Sequence, residues 1–255
     1  MQRNDCEKQK KNEHDGGEYG TTVDNLRLTV STLWKTGLEV FIHQLLYRRA
    51  IYPRDTFCST RFVGLECKIS KNPGVCNYIA DALKEIIPAI FGKNDCDHES
   101  QRRCRLKELL IEIYDQKTEN THESFSLSFL SSINEEDMKS SVGIHYPFST
   151  VFSYSNVEND LSEYFIEEVE RELRDLICTA GKLERPRSLV WNDSTSFKIV
   201  LKFDERPHCE SRNALDCCLD VTKWSKISAP SNGHQGYRIL LNLSNVNWQF
   251  QCRLL

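Results

Sequence analysis

Apolar side chains near the start of the chain recur at the three- and four-residue steps of an α-helix. From Leu26 the stripe runs through Val30, Leu33, Trp34, Leu38, Phe41, Ile42, Leu45 and Leu46. So wide a stripe predicts a helix buried over much of its surface. Asp24 is a suitable N-cap, and Tyr52-Pro53 ends the segment, because the residue before a proline is pushed out of helical geometry. The residues before Asp24 are polar and charged, so residues 1–22 read as a disordered tail.

A short strand is expected around 63–69. Asn72 then caps a second helix with Pro73 in its first turn. Its face is Val75, Tyr78, Ile79, Ala82, Leu83 and Ile86, and Pro88 with Gly92 marks its end. A polar loop over 93–104 follows. Leu109–Tyr114 is a continuous apolar run, predicting a central strand. Phe125, Leu127 and Phe129 alternate with Ser124, Ser126 and Ser128, predicting a half-buried strand with its serines outward. Residues 115–121 join the two as a hairpin. After a loop over 134–156, a third helix carries Val157, Leu161, Tyr164, Phe165, Val169, Leu173, Leu176 and Ile177 and stops at Gly181. The last third reads as β: an alternating run at 197–204, an apolar patch at 219–224, a polar loop at 228–236, and two strand-like runs joined near Asn245. The order predicts an α+β fold, three helices on one antiparallel sheet.

Composition narrows the function classes. The chain has 255 residues and a net charge of −4. A protein gripping nucleic acid by itself would carry a basic excess. No apolar run approaches the roughly 18 residues of a membrane span. Met1–Gly20 has no apolar stretch of the secretory kind, which points to the cytosol or nucleus. The 11 cysteines then read as reduced thiols. The sequons at Asn192 and Asn242 read as chance matches.

The search for chemistry yields little. There is no Gly-rich phosphate loop, G-x-S-x-G or H-E-x-x-H. Cys96, His98 and Cys104 fit no common zinc spacing and read as a solvated loop. Cys217-Cys218, near His208 and Cys209, reads as two thiols on opposite faces of a strand. His43 reads as a core histidine. Glu167, Glu168, Glu170 and Glu172 interleave with Arg171 and Arg174 as a solvated, salt-bridged helix face. No enzyme is indicated, and no cofactor or metal is expected.

One stretch is more specific: Leu38-Glu39-Val40 on an apolar helix, running through Leu46-Tyr47 to Tyr52-Pro53 and then Phe57. With Asn72-Pro73, Tyr78-Ile79, Asp81, Leu83 and Pro88, it resembles the first two helices of the HORMA-domain family. Within that family it is most similar to the accessory subunit of DNA polymerase zeta. The hairpin, third helix and 196–204 strand fall in the family's order. Trp224 lies where the family carries a tryptophan in its mobile C-terminal segment. The resemblance spans roughly 24–255, with longer loops here at 93–104, 134–156, 182–195 and 205–216.

The resemblance implies a single HORMA domain over 23–255, with its core at about 23–204. The remainder, about 205–255, is a "safety belt" that wraps an extended partner peptide. It further implies a nuclear, and also cytoplasmic, non-catalytic adaptor in translesion DNA synthesis. The adaptor holds a peptide of the catalytic subunit of DNA polymerase zeta, bridges it to a Y-family polymerase scaffold, and meets DNA only indirectly. Tyr78, Trp224, Leu219 and Val221 match the peptide-contacting positions. Ile239, Leu241 and Gln251 are the candidates for the scaffold surface, and Arg171 for a HORMA dimer contact. Two alternatives remain: a spindle-checkpoint or meiotic HORMA protein holding a different closure peptide, and an enzyme with an unrecognised thiol site.

Overall fold

The computed structural model describes residues 17–91, 106–129, 159–185, 191–203, 238–243 and 248–254. Helix α1 spans Gly17–Arg48. It begins seven residues before the expected cap at Asp24, so part of the expected tail is helical. No proline interrupts 17–24, and Gly20 costs an α-helix only about 1 kcal/mol relative to alanine. The helix ends before Tyr52-Pro53. Ala50 turns into the left-handed region at φ 52°, and Ile51 N–H returns to the Leu46 carbonyl at 3.1 Å.

Two strands follow where one was expected: β1 (Phe57–Phe62) and β2 (Leu65–Ser70) form an antiparallel hairpin. Val63 and Gly64 both have positive φ, 41° and 80°, the geometry of the tight turns that match strand twist. Phe57-Cys58-Ser59-Thr60 has no clean alternation, which is why β1 was missed. The hairpin is a separate two-stranded sheet, so the described residues form two antiparallel sheets where one was expected.

Helix α2 (Pro73–Phe91) is capped as expected, with Asn72 Oδ1 accepting from Gly74 N–H at 2.9 Å. It continues through Pro88 to Phe91. Strands β3 (Leu106–Asp115) and β4 (Thr121–Phe129) form the predicted hairpin. Asp115 Oδ1 accepts from Lys117 N–H at 2.8 Å and Thr118 N–H at 3.0 Å, and its other oxygen takes Asn192 and Ser194. These bonds, those from Asn192 and Ser194 foremost, hold the Asp115 carboxyl well below its ordinary range. Helix α3 (Asn159–Lys182) and strands β5 (Thr195–Phe203), β6 (Arg238–Leu243) and β7 (Trp248–Leu254) complete the described elements.

The large sheet has the order β5-β3-β4-β7-β6, antiparallel throughout. This makes β4 the central strand, and it corrects the half-buried reading: Ser124 and Ser126 are buried. Ser126 Oγ bonds to the Glu108 carboxylate, and Glu108 Oε2 meets Lys202 Nζ at 2.7 Å, so a polar network satisfies the buried serine. Helix α1 packs against α2, α3 and β2. Phe41 meets the Phe250 ring edge-on at 5.0 Å, joining helix layer to sheet, and Phe250 stacks on Phe125 at 6.3 Å. Glu172 departs from the solvated face expected of α3. It lies three residues after Val169 and four before Leu176, inside the apolar stripe, and is buried.

The α1–α3 contact depends on Gly37. A Cβ there would sit 2.4 Å from Leu173 Cδ2. Gly37→Ala is expected to cost about 1–2 kcal/mol, an overpacking penalty of about 1–3 partly offset by alanine's helix propensity. Urea unfolding checks it. Adding Leu173→Ala should restore part of the loss, and a pair of independent, purely additive effects would disprove the contact.

Candidate functional site

Strand β5 lies at one edge of the sheet and pairs, among the described residues, only with β3. Its outer side is defined by one hydrogen bond: Ile199 N–H donates to Tyr78 Oη at 3.0 Å. Backbone groups alternate sides along a strand, so Phe197 and Leu201 also turn their N–H and C=O groups away from β3. Their side chains share the helix-facing side with Ile199, where Phe197 and Ile199 are buried.

Aromatic rings flank this edge. Tyr78 comes from α2 and meets Phe197 edge-on at 5.5 Å, while remaining 43% exposed. Tyr52, from the Tyr-Pro end of the first helical segment, meets the same ring at 6.4 Å. Lys198 Nζ lies 4.9 Å from the Tyr114 ring centroid and 3.1 Å from Glu112 Oε2. Burial raises the pKa of both the Tyr52 and Tyr78 hydroxyls, which keeps them protonated and able to donate. Among the described residues the edge therefore leaves backbone donors and acceptors without a partner strand beside rigid rings, features suited to pairing with an extended segment. Of Tyr78, Tyr52 and Phe197 the sequence singles out Tyr78. Tyr52 reads there as a helix stop and Phe197 as strand core, and no periodic signal reveals that the two rings meet.

At the other edge, the β6–β7 hairpin pairs with β4. Phe203 and Arg238, which bound residues 204–237, consequently sit at opposite edges of the sheet. Ile239 and Gln251 are brought together as cross-strand partners. Gln251 also pairs with Ser126, on the face turned away from the helices. Leu241 pairs with Phe250 across a bulge and packs against the core, so it does not join the other two. Arg171 is exposed on α3 and ion-paired with Glu168. Leu219, Val221 and Trp224 lie outside the described residues, as do Cys96, His98, Cys104 and the cluster at 208–218. Among the described residues no group of three or more metal-ligating side chains is found, and no helix is long and apolar enough to cross a membrane.

A second polar centre lies under the C-terminal strand. Arg49 Nη2 meets Glu123 Oε1 at 2.6 Å, with the two side chains 5% and 0% exposed. Cys252 Sγ donates to the same oxygen at 3.3 Å. Arg49 also donates to the Glu184 carbonyl and lies 5.0 Å over the Phe125 ring, while its own carbonyl accepts from Trp191 Nε1 at 2.6 Å. Burial and the Glu123 carboxylate push the Cys252 thiol up to about 12, so it stays a donor at neutral pH. This centre ties the end of α1, strands β4 and β7, and the segments at 184 and 191 to one another.

The family model for the HORMA domain matches residues 30–198. Among curated proteins no match is found. Among solved structures, a chain of the mitotic checkpoint complex is similar at 16% identity and TM-score 0.51, over 87% of this chain and 95% of that one. C. elegans HTP-2 bound to the HIM-3 closure motif is 13% identical, with TM-score 0.48, over 87% and 88% of the two chains. HTP-2 bound to HTP-3 closure motif 1 gives 13% and 0.48, over 96% and 95%.

Proposed function

Because the chain belongs to the HORMA-domain family, we propose that it is a non-catalytic adaptor that adds a short partner peptide to the outer edge of β5. The observation that carries this reading is the edge itself. Among the described residues, the outward backbone of Phe197, Ile199 and Leu201 meets no strand and one side chain, Tyr78, and aromatic side chains stand beside it. A peptide strand would gain main-chain hydrogen bonds there, and prolines would lower the entropy lost on binding. Residues 204–237 connect the two sheet edges and are the segment able to close over the peptide, with Leu219 and Val221 in the belt and Trp224 as its latch. Release would then require local unfolding of that segment, which slows dissociation.

The finer assignment rests on the 38–57 helix signature and Tyr78. In it the peptide comes from the catalytic subunit of DNA polymerase zeta, and the adaptor works in the nucleus in translesion synthesis. Ile239 and Gln251, cross-strand partners, are the candidates kept for the surface offered to a Y-family polymerase scaffold, and Arg171 for a HORMA dimer contact. With a net charge of −4 the chain reaches DNA through its partners.

Affinity purification of the full chain from its own cells tests both levels. The expected co-purifying protein is a very large B-family polymerase subunit. Recovery of a spindle-checkpoint activator or a meiotic axis protein would keep the clamp and replace the polymerase assignment. Recovery of no partner through a short linear segment would overturn the clamp as well.

A further inference from the structure

An exposed sheet edge is a hazard for an unliganded protein, because its free N–H and C=O groups template pairing with other chains. Here one central donor of that edge is already occupied. Ile199 sits midway along β5, and its N–H is held by the hydroxyl of Tyr78, a residue from α2 that is 121 positions away. The Tyr78 ring is anchored edge-on against Phe197 and yet is 43% exposed, so it is seated and still has room to move. A tyrosine oxygen on a strand N–H occupies the place that a carbonyl of an added strand would take.

We propose that the Tyr78 hydroxyl is an internal stand-in for the docking peptide. It caps Ile199 N–H in the free protein and must leave that N–H before a peptide carbonyl can pair there. This rests on the reading of β5 as the docking edge. It gives Tyr78 two roles of opposite sign. The ring favours the peptide as an apolar wall, and the hydroxyl opposes it by competing for one donor. The hydroxyl also sets register. A peptide that places a carbonyl opposite Ile199 must displace it, whereas one whose ladder begins at Leu201 need not.

The two roles separate in two variants. Tyr78→Phe keeps the ring and removes the competitor, while Tyr78→Ala removes both. The first measurement needs no partner: amide hydrogen exchange at Ile199 in the free protein. Exchange should be clearly faster in Tyr78→Phe than in wild type, with amides of α1 and β4 unchanged. Equal rates at Ile199 would overturn the cap.

The second measurement uses a phage-displayed library of 12-residue peptides, each with two fixed prolines, selected on the wild-type protein. The strongest binder is then titrated against all three proteins. Tyr78→Phe should bind about two- to tenfold tighter, the value of one neutral hydrogen bond no longer in competition. Tyr78→Ala should bind more weakly than Tyr78→Phe. Unchanged or weaker binding by Tyr78→Phe, from a wild type that does bind, overturns the stand-in and leaves the docking edge standing. A wild type that selects no peptide overturns the docking reading and this proposal together, whatever Ile199 exchange shows.

Discussion

Glu123→Ala is expected to cost about 3–5 kcal/mol of stability, because it leaves the Arg49 guanidinium charged, buried and without its counter-ion. Neither side chain can turn to water: Glu123 is fully buried and Arg49 is 4% exposed. The pair is also incompletely satisfied. Glu123 Oε2 and Arg49 Nε have no hydrogen-bond partner among the described residues. Burial raises the Glu123 carboxyl, and the Arg49 charge pulls it back. The pair is therefore sensitive to the loss of one member and weak evidence of net stabilisation by both together. Arg49→Met with Glu123→Leu should cost much less than the sum of the single changes, a coupling readable in a double-mutant cycle by urea unfolding. Cys252 in β7 donates to Glu123. Docking of the C-terminal strand thus helps enclose the charge, and the apolar double variant should slow hydrogen exchange across β7. A Glu123→Ala protein within 1 kcal/mol of wild type would show that the pair carries no such weight.

Elements with a strong period were legible in the sequence. The stripes of α1 and α2, the Val169–Ile177 part of the α3 stripe, the Asn72 cap and the β3–β4 hairpin follow from local rules, whereas Tyr164, expected in the α3 stripe, is exposed. The misses are places where long-range pairing decides. β1 has no alternation and exists because the Val63-Gly64 turn folds it onto β2. The serines of β4 alternate as a surface strand does, yet β4 lies between β3 and β7, Ser124 and Ser126 are buried, and Ser126 is held by the Glu108 carboxylate. The same holds for the site. Tyr78 stood out by its place in the family signature, but its bond to Ile199 joins elements far apart in the chain. The Arg49–Glu123 pair spans 74 positions, and neither residue belongs to a pattern that would single it out. Trp224, Leu219 and Val221 lie outside the described residues, and their place rests on the family resemblance alone.

Stability should fall as pH drops from 6.5 towards 4, at about 1.4 kcal/mol per pH unit at the steepest, through His43 alone. His43 is fully buried on α1, and burial lowers its pKa from 6.5 to about 4. Its Nδ1 accepts from Ser70 N–H at 3.4 Å, and Nε2 has no partner among the described residues, so the ring is held neutral. In the unfolded chain the same ring takes a proton near 6.5. Between the two values acid therefore favours the unfolded state, and the full contribution is present only above 6.5. The loss ends below about 4, where both states are protonated, at a total of about 3 kcal/mol. His43→Asn keeps an acceptor for Ser70 and cannot titrate. It should be less stable than wild type at pH 7.5 and lack the slope between 6.5 and 5. Urea midpoints of both proteins across pH 7.5 to 4.5 make the comparison, and subtracting the variant removes the carboxylates from the difference. A wild type whose midpoint is as flat as that of His43→Asn over this range would mean that His43 is charged in the fold, with a partner the geometry does not supply.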